Sequence, residues 1–382
     1  MSEQLRAIFR NEIDLNRYSN SVAKRIIRSY NDVILDAVEQ LRNIDEAAAP
    51  VKAARLRSLL AQLKSSLATW SGASTSEMAR ELQGLAVLQS EFAVDQLQKA
   101  LPAGSSAVVS TVEISPAFAQ AVVSAEPTAA GIVNLSDRFA QVPISSNTFQ
   151  LTVGQELTLP NGQVVRQAFS RMAERQAEIF SLSVRNGILQ GQSVNTIVRG
   201  LKGRLNRDQA GSIDTIIAAG GRATAIPNNQ IRAIVRTSMN AVTNQAAAIV
   251  AAENADITES YRYTAVLDSK TSAICRALDG KIFKRGKGPE PPQHYNCRSR
   301  AIDIPAGLEK EFKDLREDYG LWLEGQSESV KRDVLGPGRL AMWDGLVKKY
   351  GASDAIRKFV AKDGSELTLV ELRKRGYGSA SG

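Results

Sequence analysis

Apolar side chains recur every three or four positions through the first hundred residues, the spacing that gathers them on one side of an α-helix. Val22, Ile26, Tyr30, Val33, Ala37 and Leu41 make one such stripe. Pro50 separates it from a second, formed by Leu56, Leu59, Leu60, Leu63, Leu67 and Trp70. Gly72 is expected to end that helix, and Ser74 with Glu77 reads as a capping box for a third, which carries Met78, Leu82, Leu85, Phe92 and Leu101. Each stripe needs a covering surface, so residues 1–101 predict a helical bundle or hairpin, completed by its own helices or by another protein.

The texture changes at Pro102. Residues 102–165 are rich in Ser, Ala, Val and Thr, are nearly free of charge, and hold Pro102, Pro116, Pro127, Pro143 and Pro160. Strands are expected over 108–114 and 149–159, with a turn at Pro160-Asn161-Gly162. The stretch reads as a linker with some β-structure, too long for a plain loop in a compact domain. Helical spacing then returns with Phe169, Met172, Ala173, Gln176, Ile179 and Phe180, ended by Gly187 and Gly191. Ser193 is placed to cap a short helix bearing Val194, Ile197, Val198 and Leu201, and a longer helix is expected from 229 to about 254, after Pro227. Beyond Thr258 the period falls to two, at Tyr261, Tyr263, Ala265 and Leu267, which predicts a strand. The prediction is an α+β, predominantly helical chain in four parts. These are a helical N-terminal domain (1–101), the linker (102–165), a helical segment leading into a small strand-rich module that contains the Cys and His residues (166–305), and a helical C-terminal extension (306–382).

Composition narrows the class. The chain has 382 residues, 43% of them hydrophobic, 23% charged and 5% aromatic, which favours a soluble, helix-rich protein of more than one domain. No apolar run approaches the roughly 20 residues that span a bilayer. The first residues lack the apolar stretch of a signal peptide, so synthesis in a cytoplasm is expected. The net charge of +8 is unevenly spread. Residues 1–165 carry 14 Lys/Arg against 16 Asp/Glu, residues 166–304 carry 20 against 11, and residues 305–382 carry 14 against 13. The basic excess thus sits in the middle third, as it would on a face turned to a polyanion, although a solvated basic surface gives the same count.

The scarce residues converge on one stretch. Cys275, His294 and Cys297 are the two cysteines and the only histidine of the chain. Two cysteines make no disulfide framework, and a single cross-link between Cys275 and Cys297 is disfavoured in a reducing cytoplasm. As borderline-soft ligands the three would suit zinc, which wants four tetrahedral N or S ligands; Asp268, Asp279 or water would complete the set. The metal-free alternative is a fold staple, in which His294 and Asn296 hydrogen-bond neighbouring backbone and the thiols pack as small apolar groups. Asp268 and Thr271, at the end of the predicted strand, are placed to cap the next helix, and Asp279-Gly280 is a turn with Lys281, Ile282 and Phe283 returning from it. Catalytic readings are poorly served. The His-x-Glu and Cys-x-x-Cys elements of a zinc deaminase are missing, as are a P-loop and a dinucleotide fingerprint, and Gly286-Lys287-Gly288 is too short for a phosphate cradle.

The order of these residues resembles a known signature. A strand ending in Asp268-x-x-Thr271 is followed by Cys275, by Leu278-Asp279-Gly280, and by Pro291-Pro292-x-His294-x-Asn296-Cys297-Arg298. This is similar to the phage Mu F-like minor head proteins, over about 166–305. Gly191-Gln192-Ser193 with Ile197 resembles the family's first helix motif, and Arg232 to Thr237 its second, with Ser238 where an acidic residue usually stands. Some relatives have a second cysteine where this chain has Ser299.

The resemblance implies a virion component rather than an enzyme, with no catalytic residues, acting in head morphogenesis with portal or major capsid protein as partners. It implies packaged double-stranded DNA as a non-specific partner, faced by Arg199, Lys202, Arg204, Arg207, Lys284, Arg285, Lys287, Arg298 and Arg300. The expected location is the virion head or portal vertex, reached from the host cytoplasm. The rivals are a metal-dependent hydrolase or nuclease built on Cys275, His294 and Cys297, and a DNA-binding head–tail connector.

Overall fold

A computed structural model describes residues 3–44, 49–112, 165–202, 221–313, 316–362 and 364–377. Most of the expected linker, including its two predicted strands beyond residue 112, lies outside the described residues. The fold is predominantly helical with one small antiparallel sheet, the α+β class that the periodicities predict.

Helices α1 (Glu3–Asn43) and α2 (Ala49–Ala100) form an antiparallel hairpin. Its rungs are Asn11 with Gln89, Tyr18 with Glu81, Arg25 with Glu77 and Glu81, and Tyr30 with Trp70. The expected break at Gly72 does not occur, and α2 is continuous. A glycine inside a helix costs only about 1 kcal/mol relative to alanine. Leu67, Trp70, Met78 and Leu82 on either side of it are buried, and that burial outweighs the local penalty. Ser74 is therefore a buried helical residue rather than a cap, and Glu77 pairs with Arg25 at 2.9 Å instead of closing a capping box.

The hairpin shares its core with three further helices, α3 (Val165–Leu189), α4 (Val194–Lys202) and α5 (Gly221–Glu253). Phe169, Phe180, Ile197, Val235, Val242 and Ile249 join Ile26, Tyr30, Leu63 and Trp70 in one apolar cluster. Residues 1–101 and 165–253 thus lean on each other. Gly187 does not end α3; it lets α4 approach, since a Cβ there would collide with the Ile197 side chain. Ser193 caps α4 as its position predicts, accepting from Thr196 N at 3.2 Å.

The sheet follows α5. Strand β1 (Thr258–Thr264) lies between β2 (Ile282–Lys284) and β3 (Arg300–Pro305), both antiparallel to it. A one-turn-and-a-half helix, α6 (Ala273–Leu278), sits in the β1–β2 connection. Nearly every β1 residue is buried, because the central strand is covered on both faces, and alternation shows only in part. The remaining helices are α7 (Glu309–Lys313), α8 (Tyr319–Glu324), α9 (Glu328–Tyr350), α10 (Ala352–Arg357) and α11 (Leu369–Lys374). From α8 onward they close a separate small core around Tyr319, Leu323, Trp343, Phe359 and Leu372. Helix α9 is kinked at Gly336, whose φ of 70° ends one helical run before Pro337 starts the next. Among the described residues no helix is long and apolar enough to cross a membrane.

Candidate functional site

The sheet, α6 and the loop before β3 bring the scarce residues together. Cys275 lies in α6, whose N-cap is Ser272: the Ser272 hydroxyl accepts from Cys275 N. The cap role expected of Asp268 thus falls to Ser272. Asp268 instead organises the preceding turn, accepting from Lys270 N at 3.0 Å and from Thr271 Oγ1 at 3.2 Å. Thr271 also donates to Val266 O at 2.5 Å.

Cys297 arrives from the loop between β2 and β3. The loop contains a cis peptide between Pro291 and Pro292, and Asn296 adopts a φ of +59°, a left-handed conformation that asparagine tolerates better than most residues. Asn296 contributes backbone rather than its side-chain amide: its N–H donates to Thr237 Oγ1 of α5 at 2.9 Å. Asn240 of α5 donates to Cys297 O at 2.6 Å. One turn later Asn244 donates to Ser299 O at 3.3 Å and accepts from Ala301 N at 2.9 Å. Thr237, Asn240 and Asn244 lie on one face of α5 and hold the loop as a ladder.

The two sulfurs and the imidazole meet in the middle. Cys275 Sγ is 3.7 Å from Cys297 Sγ and 3.2 Å from His294 Nε2, and the three candidate ligand atoms all lie within 4.8 Å of one another. Tyr263 OH is 3.3 Å from Cys275 Sγ, and Ser272 Oγ is 2.6 Å from His294 Nε2. His294 Nδ1 faces Tyr295 O at 2.8 Å, a partner that only accepts and so calls for a proton on Nδ1. Both cysteines are buried against Tyr261, Tyr263, Ala265 and Ala301. The hydrogen bond from Cys297 holds the Cys275 thiol below the usual thiol range; that same bond, then burial, push the Cys297 thiol up. The two therefore differ sharply in how readily they lose a proton.

The acidic residues named as fourth ligands are committed elsewhere. Arg298 grips Asp268 with two bonds of 2.7 Å. Burial raises the Asp268 carboxyl, but the hydrogen bonds and charge of Arg298 leave it net below its ordinary value. Asp279 is fully buried: its Oδ1 accepts from Ala265 N at 2.7 Å and pairs with Arg316 at 2.8 Å. Neither carboxylate reaches the cysteines. Gly280 has the positive φ expected of the turn, 78°, and an added Cβ would press on Asp318 at 2.9 Å.

The basic residues divide. Arg199, Lys284 and Lys287 are exposed, with Lys284 also 3.2 Å from Glu259. Arg204 and Arg207 lie outside the described residues, as does the side chain of Lys202. Arg285, Arg298 and Arg300 correct the expectation, because they face inward. Arg285 is held by Asp303 at 2.5 Å and Glu290 at 3.2 Å over the ring of Tyr261, and Arg298 by Asp268. Arg300 reaches Gln89 Oε1 at 3.2 Å, and burial pushes its guanidinium down to about 10 against the opposing pull of Glu12.

Glu12 is a site residue that the sequence does not announce. It lines a cleft of about 370 Å³ between α1, α5 and the sheet module, together with Asn16, Arg236, Met239, Cys297 and Arg298. Its Oε1 is buried with no hydrogen-bond partner among the described residues, and burial raises its carboxyl to about 7, against the pull of Arg300 and Arg298. A folded-state value above the unfolded one means that the protonated form is favoured by folding. The contribution is fully present below about 4.5 and is lost as pH rises through 7. Glu12→Gln is therefore expected to match the wild type in thermal stability below about pH 4 and to exceed it at pH 8. The gain is at most roughly 3 kcal/mol, because each tenfold change in proton affinity is worth about 1.4 kcal/mol. Equal pH profiles for the two proteins would refute this reading of Glu12.

Residues 178–302 match the family model described as phage Mu protein F like protein. The matched span runs from within α3 to β3 and contains Cys275, His294 and Cys297 with their α5 supports. No curated protein matches the chain, and no solved structure does.

Proposed function

We propose that this protein, whose residues 178–302 match the phage Mu F-like family model, is a minor structural component of a bacteriophage head. It acts in head assembly or early genome delivery, in contact with portal or major capsid protein, and is made in the host cytoplasm. The family match carries this reading. The disposition of polar groups supports it: Asp268, Asp279, Arg298 and the α5 amides hold the loop and sheet in shape. The α1–α2 hairpin supplies apolar surface for a partner, with Ile13 53% and Leu88 60% exposed. A phage carrying an early stop codon in this gene is expected to yield few infectious, DNA-filled heads, and wild-type heads purified through a density gradient are expected to contain the chain. Wild-type particles devoid of the polypeptide would overturn the assignment.

The same reading places DNA against the outward cations Arg199, Lys284 and Lys287 and the basic segment around Arg204 and Arg207. Affinity for random-sequence duplex is then expected to fall with salt along a log–log slope of about −0.9 per phosphate contact. Removing both Lys284 and Lys287 shallows that slope by about 2. An affinity indifferent to salt in filter-binding or anisotropy titrations rules out this interface.

A further inference from the structure

We propose that Cys275, Cys297 and His294 form a zinc site that clamps α6 to the loop preceding β3, with the two sulfurs and His294 Nε2 as ligands. Three features of the geometry fit a metal, and the first of them excludes a disulfide. The first is the spacing. A disulfide brings its sulfurs to about 2.05 Å. Two thiolates bonded at about 2.3 Å to one tetrahedral zinc stand about 3.8 Å apart. The Sγ–Sγ distance of 3.7 Å matches the second arrangement. The third ligand atom, Nε2, lies 3.2 Å from Cys275 Sγ, on the same small triangle.

The second feature is the histidine's orientation. Metal-bound imidazoles commonly donate their other N–H to a carbonyl or carboxylate, which fixes the tautomer and aims the free lone pair. His294 Nδ1 stands 2.8 Å from Tyr295 O, and Nε2 is turned towards the sulfurs.

The third feature is the shell around the sulfurs. Tyr263 OH approaches Cys275 Sγ at 3.3 Å, and Ser272 Oγ approaches His294 Nε2 at 2.6 Å. The Tyr263 hydroxyl stands where an outer-shell donor to the Cys275 sulfur would, and the Ser272 oxygen lies beside the ligand atoms, in a pocket otherwise walled by Tyr261, Ala265 and Ala301. With Asp268 and Asp279 bound to arginines, the fourth position falls to a water or to the Ser272 hydroxyl. No electron is transferred: zinc replaces the thiol protons, which leave to solvent, and two sulfur–metal bonds and one nitrogen–metal bond form. The clamp joins segments that are 22 residues apart in sequence and serves as a cross-link suited to a reducing cytoplasm, where a disulfide is not.

The test uses the full chain without a polyhistidine tag, purified from zinc-supplemented cells under reductant. About one zinc per chain by elemental analysis is expected. Cobalt added to the stripped protein is expected to give the intense near-ultraviolet sulfur-to-cobalt charge-transfer band of a thiolate site. His294→Gln and the double variant Cys275→Ser/Cys297→Ser are expected to lose the metal. Tyr263→Phe is expected to keep the fold by circular dichroism and to bind zinc about 10–100-fold more weakly. Stripped wild-type protein that shows no cobalt band and no rise in melting temperature with zinc overturns the site. So does a double cysteine variant that retains stoichiometric zinc, since the metal would then lie elsewhere. These readouts on the wild-type chain do not depend on any variant folding, nor on the role of the protein in the phage head.

Discussion

Replacing Asp279 by alanine is expected to cost about 3–5 kcal/mol of folding free energy, the range seen when one partner of a buried ion pair is removed. Arg316 and Asp279 stand 2.8 Å apart with side-chain exposures of 7% and 0%. Burial raises the Asp279 carboxyl above its ordinary value, and the guanidinium of Arg316 with the Ala265 N–H opposes that rise. Removing the carboxylate therefore leaves an arginine with little access to water and an amide without its acceptor. The same change unpins the turn at Gly280, which leads from α6 into β2. Urea titration followed by circular dichroism measures the loss. Asp279→Asn, which keeps an acceptor for Ala265, is expected to lose less than alanine does. A midpoint unchanged in the alanine variant would show that the pair contributes nothing to the fold.

The second large effect is expected at Trp70. Its ring lies edge-on to Tyr30 at 5.2 Å and to Phe169 at 5.7 Å, and its Nε1–H reaches Ile26 O at 3.3 Å and Ser29 Oγ at 3.2 Å. One side chain thus joins α1, α2 and α3. Trp70→Ala removes this bridge and opens a cavity, at a cost of about 3–5 kcal/mol. Trp70→Phe keeps one ring in the bridge while losing the donor and part of the packing, and is expected to cost less than alanine does. If the two variants melt together, the aromatic bridge is not what binds the hairpin to the middle helices.

The helices are readable because their apolar stripes repeat at the helical period over several turns, as with Val22 to Leu41 and Phe169 to Phe180. The continuity of α2 is not, because Gly72 is a local signal and the surfaces that cover the neighbouring Trp70 come from α1 and α3, distant in sequence. The candidate site is visible through rarity: two cysteines and one histidine in a single stretch draw attention whatever the fold. Its supports are hidden because amides and hydroxyls are common. Asn240 and Asn244 offer only their four-residue spacing, and Tyr263 and Ser272 offer no sign. The inward arginines escape a charge count for a related reason. Counting charge along a segment cannot register that Arg285 meets Asp303, Arg298 meets Asp268, and Arg300 lies near Glu12 at the other end of the chain.

The core shared by the hairpin and α3 to α5 bears on whether the matched span can stand alone. The family span opens partway along α3, beyond Phe169, and contains none of the α1 and α2 residues that cover α5. Transplanted alone, residues 178–302 would carry Val235, Val242 and Ile249 into water, and Arg236 would lose its bond of 2.5 Å to Asn20. A fragment that keeps this unit intact must therefore carry its helical backing along, or be joined to a sequence able to supply the same apolar faces.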